Sequence, residues 1–254
     1  TFAKLHPLID VNESSLEEER FKKTFDGNEF FLRDHIVGGQ KILPGVAYLE
    51  MVRAAGDLAS SQSRVREIKN IIWARPISIK GKTEDAYIIL YPSKDSVGYE
   101  VSTNGENQKV IHSQGRIIYE REKTNESDNQ TTQEALINID DIKSRCSTIK
   151  KREEIYALFK SFGLNYGPSF QSIQELYSNG KEALTKLSLP EDLKESFKDY
   201  ILHPTLMDGA LQTAAGIAQD DKISNNSLYL PFGLGEVEII RPLKEDCYAY
   251  ATLA

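Results

Sequence analysis

The sequence predicts an α+β fold of two similar units, each an antiparallel sheet wrapped around one central helix. Three observations point there. A helical stretch followed by several strand-like runs occurs early in the chain. The same order recurs later, and a polar stretch divides the two. A helix or a sheet must bury its apolar face against another layer, and this alternation supplies both layers twice.

Taken in order, a loop around His35 leads to Pro44 and a helix over roughly 44–60. Its apolar positions Val46, Leu49, Val52, Ala55 and Ala59 recur at three and four residues, the spacing of one helical face. Pro44 suits the first helical turn, where no intrahelical donor is needed. Strand-like runs follow at Ile68–Ile79, Ala86–Tyr91, Tyr99–Thr103 and Val110–Tyr119, rich in Ile, Val and Tyr and separated by polar or Gly-containing turns. Residues 120–135 contain almost nothing apolar, so they bury too little surface to offset the entropy of ordering. The chain thus divides into an N-terminal half over 1–120, a polar linker over 121–140 and a C-terminal half over 141–254.

The second half opens with a helix near 151–162, where Ile155, Leu158, Phe159 and Phe162 form a stripe. A hairpin follows, with Asn179-Gly180 as its turn. A helix over about 205–219 comes next, apolar on nearly every side through Leu206, Met207, Ala210, Leu211, Ala214, Ala215, Ile217 and Ala218. A helix of that kind is buried. Strand-like runs reappear at Ser227–Phe232, Gly235–Ile240 and Cys247–Leu253. Helix and then curved sheet, repeated, fits two hot-dog units. The second copy looks short, so the native chain is expected to continue past Ala254, or its final strands are absent here. The other reading is an asymmetric repeat.

Composition sets bounds. With 254 residues, 40% hydrophobic and 27% charged, the chain is a folded protein of one large or two small domains. A formal net charge of -7 argues against non-specific grip on nucleic acid or anionic lipid, which needs clustered Lys and Arg. No apolar run approaches a membrane span of ~20 residues. The N-terminus lacks the apolar stretch of a signal peptide. It also starts without Met, as a piece of something larger would. Cys146 and Cys247 lie far apart without Cys-x2-Cys spacing, which fits a reducing compartment such as the cytoplasm. Both read as buried or incidental thiols.

Two distant fragments carry the chemistry. His35 to Pro44 reads His-x3-Gly-x4-Pro through Gly39, and His203-Pro204 leads to Asp208 and Gln212. Asp208 heads a segment, Gly209 to Ala218, that carries no charge. A lone carboxylate in apolar surroundings relieves its cost by a raised pKa, and a carboxylic acid kept protonated can donate a proton. Gln212, four residues on, can face the same carboxyl. The competing reading is an N-cap satisfying orphan backbone donors. His35 precedes Gly38-Gly39, whose backbone can approach a ligand closely. Free N–H groups near a helix N-terminus can stabilise charge developing on a carbonyl oxygen, while a neutral imidazole abstracts the proton alpha to it. The competing reading is a loop histidine bonded to backbone, and His6 and His112 are read that way. His203 is read as serving the turn into the helix. His35, Asp34, His203 and Asp208 are conceivable metal ligands, but no motif has ligand spacing, so no metal is expected. No phosphate loop, dinucleotide fingerprint or Gly-x-Ser-x-Gly elbow is present.

These motifs resemble a known family. Asp34–Gly45 is similar to the first signature of the dehydratase domains of modular (type I) polyketide synthases, and Leu202–Gln212 to the second. Leu164–Phe170 resembles the family's Tyr-Gly-Pro-x-Phe element. His6-Pro7-Leu8 and Leu230-Pro231-Phe232 also fit. The resemblance spans nearly the whole chain. It implies a double hot-dog fold with the site between the halves. His35 would take the alpha proton of a beta-hydroxyacyl thioester and Asp208, held by Gln212, would protonate the departing hydroxyl. The Gly39 N–H would polarise the thioester carbonyl. Tyr166 would shape the tunnel and hydrogen-bond near the hydroxyl, with Gly167 and Pro168 shaping its loop. The substrate would arrive on the phosphopantetheine arm of an acyl carrier protein, beside neighbouring synthase domains, with no cofactor. A homodimer is a family-level expectation. Relatives that shift double bonds tend to lose the acid or the Pro of the first motif; Asp208 and Pro44 are both present. The alternatives are an isomerase or cyclase on the same substrates, or a non-catalytic carrier-docking module of the same fold.

Overall fold

The computed structural model describes residues 4–105, 108–120, 137–217 and 231–253. In chain order the first elements are β1 (Val11–Asn12), β2 (Glu19–Phe25), α1 (Phe30–Arg33), β3 (His35–Val37), β4 (Gln40–Ile42) and α2 (Gly45–Ala59). Next come β5 (Val65–Trp73), β6 (Ser78–Ile79), β7 (Glu84–Pro92), β8 (Val97–Asn104) and β9 (Lys109–Tyr119). The second half supplies α3 (Ile139–Arg145), β10 (Thr148–Lys151), α4 (Arg152–Ser161), β11 (Leu164–Tyr166), β12 (Ile173–Ser178), β13 (Glu182–Ser188), α5 (Pro204–Gln212), β14 (Gly233–Glu238) and β15 (Asp246–Thr252).

Three sheets result. A seven-stranded sheet runs β1-β2-β7-β8-β9-β5-β14, a four-stranded sheet runs β10-β12-β13-β15, and a small sheet runs β11-β3-β4-β6. Every pairing is antiparallel. The large sheet packs over α2, whose Val46, Leu49, Met51, Val52 and Ala55 are fully buried. The second sheet packs over α5 through β13 and β15, and α2 and α5 pack on each other. Two sheets wrapped around two touching helices are the expected double hot-dog.

Several expectations shift in detail. Pro44 stands at the N-cap of α2 rather than inside its first turn, with φ -62. The run Ile68–Ile79 is two strands, because Pro76 cannot donate to a ladder and constrains the residue before it. Within β5, a bulge at Asn70 (φ 52) places Ile68 and Ile71 on the same buried face. The loop around His35 is a short helix and the strand β3. The polar linker lies outside the described residues over 121–136, while its last residues enter α3, capped by the Asn138 side chain. The hairpin β12–β13 is present, but its tip is Gly180 at φ 81. Asn179 supports it by accepting the Lys181 and Glu182 N–H groups through its side chain. The helix expected over 205–219 is α-helical only as far as Gln212. A 3-10 turn over Thr213–Gly216 follows, and residues 218–219 lie outside the described part.

The strand over Ser227–Phe232 falls mostly outside the described residues, and Pro231 and Phe232 are not in a strand. The next one, β14, joins the sheet of the first half. Phe232 C=O accepts from the Trp73 N–H at 2.8 Å, and β14 pairs with β5 from Gly233↔Ile72 onward. Among the described strands after α5, β15 extends the second sheet. β11 likewise crosses over, pairing with β3. The halves therefore interlock through two strand exchanges.

Candidate active site

His35 opens β3 and is buried, 6% exposed. Its Nδ1 lies 2.7 Å from the Ile42 carbonyl oxygen. A carbonyl can only accept, so Nδ1 carries a hydrogen, and in the neutral ring the lone pair then lies on Nε2. The ring packs edge-on to Phe170, with centroids 5.3 Å apart, and beside Tyr166 at 5.6 Å. Tyr166 is also its antiparallel partner in the β11–β3 ladder.

Asp208 lies in α5, buried at 6% exposure. Burial, the strongest influence, pushes its carboxyl above the ordinary range. A charge on His35 and the Gln212 hydrogen bond pull the other way without overcoming it. The two sequence-predicted groups therefore sit within electrostatic reach of each other, one from each half. Gln212 Nε2 donates to Asp208 Oδ2 at 2.7 Å and also faces the Phe170 carbonyl at 3.3 Å. Asp208 is not an N-cap: that position belongs to His203, whose Nδ1 accepts the Thr205 N–H at 3.3 Å. The buried Tyr166 hydroxyl is held well above its usual pKa, by burial first and then by Asp208 and Tyr156. It stays protonated and able to donate.

Gly167 and Pro168 shape a clasp. The Gly167 N–H donates to Asp34 O at 2.7 Å, and Pro168 starts a 3-10 turn over Pro168–Phe170. The Asp34 carboxylate accepts the Ser169 N–H at 3.1 Å and pairs with Arg33. Asp34 thus ties the two halves beside His35. Among the described residues no cluster of His, Cys, Asp and Glu could hold a metal ion. Gly39 differs from expectation. With Gly38 it forms the exposed β3–β4 turn at positive φ, and all of β4 separates it from the helix. The glycine at the N-terminus of α2 is Gly45, whose first turn has no side-chain cap. This helix start, whose Ala47 N–H already bonds to the Pro44 carbonyl at 2.9 Å, lies just after Ile42, the His35 anchor.

Two other residues escaped sequence reading. Glu50 is fully buried in α2 and accepts N–H groups from Ile201 at 2.9 Å and Leu202 at 3.0 Å, while pairing with Arg53 at 2.7 Å. His6 Nε2 lies 3.3 Å away. Burial works to raise the Glu50 pKa, yet His6, Arg53 and the backbone donors outweigh it and hold it at about 2. Tyr156 of α4 donates to Gln212 Oε1 at 3.1 Å; it belongs to the apolar side of that helix, and no local pattern marks it.

Residues 6–104 match the family model described as polyketide synthase dehydratase domain, and residues 138–254 match that described as polyketide synthase dehydratase N-terminal domain. A trans-AT PKS dehydratase domain from Brevibacillus brevis superposes with a TM-score of 0.85 at 35% identity, covering 95% of this chain and 83% of that one. The chain belongs to the polyketide synthase dehydratase domains. The dehydratase domain from the CurF module of curacin polyketide synthase gives a TM-score of 0.87 at 25% identity, over 98% of this chain and 88% of that one. Polyketide synthase PksM of Bacillus subtilis is 39% identical over 97% of this chain, which spans 6% of that protein. PksN of the same organism is 37% identical over 98% of this chain, which spans 4% of it. No helix among the described residues is long and apolar enough to cross a membrane.

Proposed function

We propose that this domain removes water from a beta-hydroxyacyl thioester presented on the phosphopantetheine arm of an acyl carrier protein. The observation that carries this reading is the pairing of a histidine anchored through Nδ1, which leaves Nε2 to face the substrate, with a buried carboxyl whose hold on its proton burial strengthens, one from each half. His35 Nε2 takes the proton from the alpha carbon. The electrons of that C–H bond form the alpha–beta double bond, and the beta C–O bond breaks as Asp208 protonates the leaving hydroxyl. One water is lost and no electrons are gained or lost overall, so the chemistry calls for no redox cofactor. Removing a proton alpha to a thioester builds charge on its carbonyl oxygen, which the uncapped N–H groups at Gly45 can receive. This role moves from Gly39 to Gly45 because only the latter stands at the helix start. Tyr166 donates toward the leaving hydroxyl, and Gly167 and Pro168 hold its loop.

The test is incubation with a beta-hydroxyacyl carrier protein or a short thioester mimic, followed by mass spectrometry. Loss of one water that disappears in both His35→Phe and Asp208→Asn supports the reading. Full turnover in either variant overturns it.

A further inference from the structure

The acid Asp208 has two oxygens, and a general acid works only if its proton sits on the one facing the leaving group. The structure contains a hydrogen-bond chain that settles which. It starts at the Ile173 backbone N–H, which donates to the Tyr156 hydroxyl oxygen at 3.0 Å. A backbone N–H can only donate, so this lone pair of Tyr156 is taken. The Tyr156 hydrogen then goes to the Gln212 side chain at 3.1 Å, with the Ser172 hydroxyl a further neighbour. That requires the amide oxygen, Oε1, to face Tyr156. At the other side the Gln212 Nε2 meets the Phe170 carbonyl at 3.3 Å, a group that can only accept. Two fixed backbone groups, at Ile173 and Phe170, therefore impose the same orientation on the amide. The remaining N–H of Gln212 is directed at Asp208 Oδ2, 2.7 Å away. An oxygen accepting an N–H at that distance does not also point a proton toward Gln212, so a proton on this carboxyl is favoured on Oδ1.

We propose that Tyr156 is a positioning residue: its hydroxyl locks the Gln212 amide so that Asp208 carries its transferable proton on Oδ1. This rests on Asp208 being the acid of the dehydration. The same N–H also receives the charge left on the carboxylate once the proton has gone, which lowers the barrier to transfer. With the hydroxyl removed, the amide is free to turn its Oε1 toward Asp208. The carboxyl would then donate its proton to Gln212 instead of the substrate. Tyr156 is 8% exposed and packs against Phe159 and Tyr166 at 6.0 and 6.2 Å between centroids. Tyr156→Phe keeps that ring packing.

The experiment measures kcat and KM for a beta-hydroxyacyl thioester across pH in wild type, Y156F, Q212L, the double variant and Q212E. In Y156F kcat falls about tenfold or more, a part of the 10²–10⁴-fold that a general acid supplies, with KM little changed. The alkaline limb of the profile moves to higher pH, because a carboxylate that loses its donor holds its proton more tightly. The double variant is as slow as Q212L alone, since Tyr156 acts only through Gln212. Q212E keeps an acceptor toward Tyr156 and puts a second carboxyl in place of the amide donor to Asp208; two carboxyls sharing one site hold a proton more tightly, so the limb is displaced the same way even if Y156F folds poorly. An unmoved limb in Q212E, or wild-type kcat in a folded Y156F, or additive losses in the double variant, overturns the proposal. Wild-type turnover in Asp208→Asn would instead sink the acid assignment itself and leave the hydrogen-bond chain with no reaction to serve.

Discussion

At the scale of single residues, the cost of Asp208 is the clearest sign of its use. A carboxyl whose pKa is raised on folding binds its proton more tightly in the folded chain than in the unfolded one. Below the ordinary aspartate value both states are protonated and the effect vanishes. As pH rises through the folded value stability is lost, and above it the loss is complete. Each tenfold difference in proton affinity is worth about 1.4 kcal/mol. Asp208→Asn should therefore raise the unfolding free energy at neutral pH, and the gain should vanish below about pH 4. Denaturant titrations of both proteins at several pH values check this; an equal or lower stability at neutral pH refutes the burial argument. Gly167 makes a second case. A Cβ there would lie 2.7 Å from Asp34 Cβ and Cγ, closer than such atoms tolerate. Gly167→Ala should cost about 1–3 kcal/mol and lower kcat, because the clasp it breaks holds Tyr166 beside His35. Thermal melts and turnover together read that outcome.

At the scale of elements, α2 does more than fill the first core. Through Glu50 it grips the Ile201–Leu202 strap that leads into His203 and α5, so the helix of one half sets where the acid of the other half lies. Glu50→Gln weakens the pairing with Arg53 and leaves that guanidinium buried with less compensation. Breaking a buried pair from one side typically costs about 3–5 kcal/mol, and a chevron or equilibrium melt should show a loss of that order along with reduced turnover. The grip also explains what was legible beforehand. α2 and α5 could be read because apolar positions dominate them, and Asp208 because the segment that follows it, Gly209 to Ala218, carries no charge. Glu50 could not, since its partners are backbone groups some 150 residues away. β2 was hidden for a related reason: its buried face reads Phe21, Lys23, Phe25. The lysine breaks the apolar alternation, and only its partner Asp10, 3.0 Å away, makes that position tolerable. Gly39 was preferred to Gly45 because spacing within a motif does not say which glycine the backbone carries to the helix start.

At the scale of the whole molecule, the two-unit plan follows from the repeated pattern, but the exchange of β11 and β14 between units does not. Alternation tells which face of a strand is buried and is silent on which edge it joins. The interlocked halves also bury a histidine deep in the shared core. His203 is fully buried between Phe30 and Phe197, with centroids 5.7 Å away on each side, and Tyr200 at 4.7 Å. Burial, which the charge of Glu50 only partly offsets, lowers its pKa to about 4. A histidine whose folded pKa is depressed favours folding above its ordinary value, near 6.5. Its contribution is lost as pH falls from there toward about 4, because the unfolded chain takes up a proton that the folded chain refuses. One such proton is worth about 1.4 kcal/mol per pH unit across that window. His203→Phe keeps an aromatic ring in the stack and abolishes the titration. It also removes the acceptor for the Thr205 N–H, a cap worth about 1 kcal/mol. The variant should thus be less stable than wild type at pH 7 yet lose less stability on acidification, so the two curves converge as pH approaches 4. Unfolding free energies measured between pH 4 and pH 7 decide it: parallel curves would mean that His203 titrates alike in both states, and the burial of this junction would have to be abandoned.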